Sequence, residues 1–275
     1  EGDGAAHADV VIEAIVEDLE AKQALFRELE PRMQPHAVLA TNTSALPLND
    51  LAEALKRPER LIGLHFFNPV AKMPLVEVVH DPGRTDSAQV DNGTSFVGQI
   101  GKYPLPVKSS PGFLVNRVLA PYMTRAMERH HEGVPKEALD KAAERFGMPM
   151  GPVELADTVG LDVGMSVIKT LGGEGAEAQI RTLKEMVDAG KLGKKSGQGF
   201  YTWKKGKPVR DSANAEGHDP DKLAQQLLEP YLAECRACLQ DGIVADADLL
   251  DAGLVFGTGF APFRGGPMHY LGETS

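Results

Sequence analysis

RLIGLHFFNPVAKMPLVEVVH, residues Arg60 to His80, reads as two extended apolar segments, LIGLHFF and LVEVV, joined through Asn68-Pro69 and a bend at Met73-Pro74. Each segment carries one ionisable residue, His65 in the first and Glu77 in the second, among neighbours suited to a buried sheet. A buried imidazole needs a partner. A carboxylate on a neighbouring element would hold the ring in one tautomer and stabilise the imidazolium, which is what general-base catalysis requires. Taken alone, a lone His and Glu are also compatible with a satisfied core histidine and a solvent-facing glutamate.

Working upstream, ADVVIEAI is an apolar run of strand length, and Val16 to Met33 carries Leu19, Leu25, Phe26 and Leu29 at helical spacing, closed by Pro31 and Pro35. AVLATNTSAL is a second strand ending in a small polar cluster, Thr41 to Ser44, and a helix over Leu48 to Leu55 leads into LIGLHFF. Strand, helix, strand, helix, strand predicts a parallel sheet in an α/β domain. Ligands of such sheets bind at the carboxyl ends of the strands, where Glu17 and Asn42 to Ser44 fall.

Downstream, a helix over Ser87 to Gly98 and a last strand, PLPVKSS, complete this domain. Ser109-Ser110-Pro111-Gly112 marks a boundary, with two candidate caps and a proline ahead of an apolar stripe. The remainder reads as helices over Phe113–His131, Pro135–Phe146, Val153–Leu171 and Ala178–Ala189, with a break at GGEG, and then the glycine- and lysine-rich KLGKKSGQGFYTW. Lys204 to Asp219 is charged and poor in large apolar residues, as a linker would be. Beyond it, LEPYLAECRACLQDGI at Leu228 repeats LAPYMTRAMERHHEGV at Leu119, and GFAPFRGGP answers GMPMGP with a few residues inserted. A repeat of this length is a duplicated helical domain, whose copies should pack through Tyr122 and Tyr231.

The chain's 275 residues, 42% hydrophobic and 25% charged, suit a soluble globular protein of two or three domains. A formal charge of -10 argues against nucleic acid or an anionic membrane as partner. No run is long enough to span a membrane, and EGDGAAHADVV is not a signal peptide. Cys235 and Cys238 share one helix face, where two buried thiols are expected rather than a metal or redox pair. The reading is a reduced, intracellular protein that binds no metal.

GDGAAH at Gly2, GQGFYT and GTGFAP each fail as a dinucleotide fingerprint. Part of a nucleotide-binding sheet is thus present without the phosphate loop that opens one. The motifs VIEAIVEDLEAK, TNTSAL, GLHFFNP followed by LVEVV, SSPGFLVNR, GMPMGPVELAD and GKKSGQGFY resemble those of the L-3-hydroxyacyl-CoA dehydrogenase family over nearly the whole chain. The second repeat resembles the branch fused to enoyl-CoA hydratase in multifunctional β-oxidation proteins.

The resemblance implies a partial Rossmann-like NAD-binding domain over 1–108 and two homologous helical domains, over 109–204 and, after a linker, 205–275. The first strand and glycine-rich loop are expected before Glu1, so a fragment that binds NAD weakly and turns over no substrate is anticipated. It implies His65 as catalytic base and Glu77 as its carboxylate. Ser44, Asn68 and Asn116 would hold the substrate, and Glu17, Lys22 and Asn42 the nicotinamide side of NAD, the lysine also being used near the substrate. An acyl-CoA would be the substrate, with a homo-oligomer or an upstream hydratase module as partner and a bacterial-type cytoplasm, or an organelle matrix, as the compartment. A short-chain 3-hydroxybutyryl-CoA dehydrogenase and a non-catalytic assembly fragment stand as alternatives. Lys194 and Lys195 are read as a solvated loop.

Overall fold

The structure is a computed structural model that describes residues 3–171 and 176–273. Its contacts divide the chain into two compact units, residues 1–114 with 239–249, and residues 115–238 with 250–275.

The first unit holds a five-stranded sheet: β1 (Val10–Glu13), β2 (Val38–Thr41), β3 (Leu61–Phe66), β4 (Leu75–His80) and β5 (Tyr103–Lys108), in that spatial order. Helices α1 (Leu19–Leu29), α2 (Leu48–Ala52) and α3 (Ser87–Gln99) connect them. β1, β2 and β3 are parallel, as the alternation of strand and helix predicts. β4 is not. It runs antiparallel to β3, with β5 parallel to β4, so the sheet is mixed. The reason is the connection: Phe67 to Pro74 is too short for the crossover that parallel neighbours need.

Strand alternation then sorts the side chains. Val38, Ala40, Ile62, Leu64, Val76 and Val78 form one buried face, closed by Val97 of α3. The odd-numbered positions, His65 and Glu77 among them, point to the other. α1 begins at Leu19 rather than Val16, because Asp18 caps it, its carboxylate accepting from the Ala21 N–H at 2.9 Å. Ile15 and Val16 are left as exposed backbone beyond β1, 44% and 67% accessible.

The second unit is built on α4 (Val115–His131), α5 (Lys136–Phe146), α6 (Pro152–Val159), α7 (Leu161–Leu171) and α8 (Ala176–Asp188). The single helix expected over Val153–Leu171 is broken at Gly160, whose φ of 107° and ψ of 131° lie outside any helix. The GGEG break lies outside the described residues. After a two-stranded hairpin of β6 (Trp203–Lys204) and β7 (Lys207–Pro208) come α9 (Pro220–Gln240), α10 (Ala247–Thr258) and α11 (Pro267–Leu271).

The segment read as a linker is anchored. The Arg210 guanidinium donates to Glu144 at 2.7 Å and to Glu154, and lies 3.7 Å from Asp140. Buried Asp157 ties down KLGKKSGQGFYTW, accepting from the Phe200 and Tyr201 N–H groups and the Trp203 indole, each at 2.9 Å. In the same segment Lys195 pairs with Asp162 at 2.6 Å.

The repeat is visible in side-chain chemistry. Tyr122 of α4 and Tyr231 of α9 meet edge to face, ring centroids 6.0 Å apart. Asp140 of α5 accepts from the Val153 and Glu154 N–H groups at the start of α6, at 2.8 and 3.1 Å. Asp251 of α10 does the same for Met268 and His269 at the start of α11, at 2.7 and 2.9 Å. A carboxylate from the preceding helix therefore caps the short helix in both copies. Both caps need glycine at the approach, since a Cβ at Gly151 or Gly266 would lie 2.2 or 2.3 Å from the capping aspartate. Cys235 and Cys238 are buried on α9 and form no disulfide. Among the described residues, no helix is long and apolar enough to cross a membrane.

Candidate active site

His65 and Glu77 are direct cross-strand partners in the β3–β4 register. Their side chains share one face of the sheet, and the imidazole Nδ1 lies 2.6 Å from Glu77 Oε2 with both groups buried. The Leu114 N–H donates to Glu77 Oε1 at 3.0 Å, so each carboxylate oxygen has a donor and the group is fixed in rotation. Phe67 and Phe113 flank the imidazole, ring centroids 4.4 and 5.6 Å away. A carboxylate on Nδ1 holds the proton there and leaves Nε2 as the basic nitrogen. This is the arrangement of an oriented general base.

A second polar cluster sits at the carboxyl ends of β1 and β2. Lys22 of α1 is 1% exposed, and its ammonium lies 2.7 Å from Glu13 and 3.5 Å from Glu17. Glu13 also accepts from the Ile15 N–H and the Thr41 hydroxyl, both at 2.7 Å. Glu17 accepts from the Thr43 hydroxyl at 2.5 Å and from the Ser44 N–H at 2.9 Å. Burial works against its charge, but Thr43, Ser44, Lys22 and the Ala45 N–H outweigh it and hold the carboxyl below the usual glutamate value. Asn42 connects the clusters: its Oδ1 accepts from the Phe66 N–H, next to His65, at 2.9 Å.

Of the residues singled out in the sequence, the first unit thus pairs His65 with Glu77 and gathers Glu17, Lys22, Asn42 and Ser44 at adjoining strand ends. Asn68 is exposed in the turn after β3, before a cis peptide to Pro69. Asn116 lies in the first turn of α4, in the second unit. Sequence reasoning missed Glu13 and Leu114. Glu13 has a signal in hindsight, a lone carboxylate in an apolar strand; Leu114 acts through its backbone and has none.

Residues 2–110 match the model of the 3-hydroxyacyl-CoA dehydrogenase NAD binding domain, and residues 112–203 match that of the 3-hydroxyacyl-CoA dehydrogenase C-terminal domain. The chain belongs to the 3-hydroxyacyl-CoA dehydrogenase family. It is 41% identical over 283 residues to the fatty acid oxidation complex subunit alpha of Shewanella amazonensis, a match covering 98% of this chain and 40% of that protein. The chain thus spans about 40% of the length of the curated relatives it matches. Among solved structures, 3-hydroxybutyryl-CoA dehydrogenase from Escherichia coli superposes with a TM-score of 0.84 at 28% identity, covering 99% of this chain and 76% of that one. FadB2 of M. tuberculosis does so with a TM-score of 0.69 at 40% identity, covering 74% of each chain.

The family's cofactor can be tested against the residues present. Exposed Ile15 and Val16 beside the Glu13–Lys22–Glu17 cluster offer an apolar surface edged by polar groups at the ends of parallel strands, which fits the nicotinamide end of NAD. Among the described residues, no glycine-rich turn leads from a sheet strand into a helix to receive the pyrophosphate.

Proposed function

We propose that the protein catalyses NAD-dependent oxidation of an L-3-hydroxyacyl-CoA to the 3-ketoacyl-CoA, a step of fatty-acid degradation. The observation that carries this reading is the buried contact of 2.6 Å between His65 Nδ1 and Glu77. His65 Nε2 removes the proton of the substrate's 3-hydroxyl, and Glu77 stabilises the imidazolium that forms. NAD, when bound, accepts the hydride from C3. Ser44, Asn68 and Asn116 hold the hydroxyl or the thioester carbonyl and favour charge developing on oxygen. Glu17, Lys22 and Asn42 position the nicotinamide end, with Lys22 held in place by Glu13.

The chain is read as the NAD-binding domain over 1–108 and two helical domains over 109–204 and 205–275. The match to alpha subunits of fatty acid oxidation complexes supports a multifunctional parent with a hydratase module or a further copy as partner, acting in a bacterial-type cytoplasm. The likeness to 3-hydroxybutyryl-CoA dehydrogenase at a TM-score of 0.84 supports a second reading, the same reaction on a four-carbon acyl group. Incubating the full-length protein with NAD and L-3-hydroxyacyl-CoA esters of increasing length tests both. Formation of NADH and ketoacyl-CoA is expected, and a preference for four carbons would select the second reading. No NADH with any ester would overturn both.

A further inference from the structure

The inserted residues of the second repeat have no part in its cap. Four residues lie between Gly147 and Pro152 in the first copy, and seven between Gly259 and Pro267 in the second, yet Asp140 and Asp251 close the same cap in both. The surplus brings Phe263 and Arg264. The Arg264 Nε–H donates to the Phe146 carbonyl at 2.9 Å, and its guanidinium lies 4.2 Å from the Phe146 ring centre and 5.3 Å from that of Tyr270. This orients the group and leaves its two amino groups to other acceptors.

Arg264 lines a cleft of about 600 Å³ within the second unit, with Arg145, Arg236, Phe146, Leu228 and Tyr270. Two carboxylates also line it, and each has an arginine: Asp221 pairs with Arg145 at 2.9 Å, and Glu229 lies 3.9 Å from Arg125. Arg236 is paired with Glu273 at 2.7 Å. Among the described residues, no carboxylate lies within ion-pair distance of Arg264. A chain with a formal charge of -10 therefore keeps one oriented, uncompensated cation in a cleft that has two more arginines and an apolar, aromatic wall.

We propose that this cleft binds a phosphate ester of a planar ring, of the size of a mononucleotide. Arg264 takes the phosphate as a two-pronged donor, Arg145 and Arg236, whose Nε and Nη2 groups are held by Asp221 and Glu273, add only their remaining Nη1 donors, and the ring lies on Tyr270 and Leu228. A small inorganic anion would leave the apolar wall uncovered, and an uncharged ring would leave Arg264 without an acceptor.

The test is calorimetric titration of the chain with AMP, adenosine and inorganic phosphate. AMP is expected to saturate one site, at least tenfold tighter than adenosine or phosphate. Arg264→Gln should weaken it tenfold or more, Arg264→Lys nearly as much through loss of the fork, and Arg236→Gln severalfold. If Arg264→Gln fails to fold, the other two variants carry the test, since Arg236 lies in an exposed pair. Absence of saturable AMP binding at millimolar concentration overturns the proposal. So does binding that is indifferent to all three variants, which would place AMP elsewhere, or phosphate binding as tightly as AMP. The readout needs no turnover, so a chain without dehydrogenase activity leaves the outcome unaffected.

Discussion

Glu77→Gln should separate orientation from charge in the His65 pair. Glu77 Oε1 receives the Leu114 N–H at 3.0 Å and Oε2 faces His65 Nδ1 at 2.6 Å, both as acceptors. A glutamine has one oxygen. If it serves Leu114, the amide nitrogen faces His65 and forces Nδ1 to become the acceptor, which moves the ring proton to Nε2 and removes the base. If it serves His65, the amide nitrogen faces the Leu114 N–H, donor against donor, in a buried setting. An unsatisfied buried donor costs about 1–3 kcal/mol, so the first arrangement should prevail. Turnover should then fall by about 10²–10⁴, the upper end being the scale of the corresponding Asp→Asn change in Ser-His-Asp enzymes. Stability should fall by no more than about 3 kcal/mol. Ketoacyl-CoA-dependent oxidation of NADH gives the rate, and nitrogen NMR of the imidazole gives the tautomer. A variant with wild-type turnover and the proton still on Nδ1 would refute the reasoning.

Other outcomes follow from the same contacts. Glu13→Ala leaves the Lys22 ammonium, 1% exposed, with Glu17 as its remaining carboxylate at 3.5 Å beside the Ile15 carbonyl at 3.5 Å, and should cost about 3–5 kcal/mol in denaturant unfolding. Glu17 has a folded-state pKa below its unfolded value, so its contribution is present above the ordinary glutamate range and is lost as pH falls through the folded value. Thermal melts of wild type and Glu17→Gln should therefore differ at pH 7 and converge under acid. Asp140→Ala and Asp251→Ala each uncap a short helix and should each cost at least about 1–2 kcal/mol in chemical unfolding, and Asp140→Ala also leaves the buried Tyr201 hydroxyl without the acceptor it has at 2.8 Å.

Much of this was legible in the sequence, for reasons that can be named. The alternation of β1, α1, β2, α2 and β3 is carried by apolar periodicity and proline punctuation, and it gave parallel strands with polar groups at their carboxyl ends. Twelve residues separate His65 from Glu77, and the register of β3 on β4 turns that separation into contact. The reversed direction of β4 was legible too, in a connection too short to cross over, but a periodicity reading does not weigh connection length. Asp140 and Asp251 stayed hidden, because an aspartate in an amphipathic helix reads as a solvent-facing residue until the next helix is placed over it. Lys204 to Asp219 reads as a linker by composition, and only the arrival of Glu144 and Glu154 around Arg210 fixes it. Gly160 split a helix that the apolar pattern alone runs straight through.

The central claim is that His65 is the base. Turnover of an L-3-hydroxyacyl-CoA by the full-length protein carrying His65→Gln, against wild type at equal folded concentration, tests it most directly. A loss of about a hundredfold or more in kcat is expected, with the KM for the acyl-CoA and the melting temperature little changed. Near wild-type turnover in that variant would contradict it.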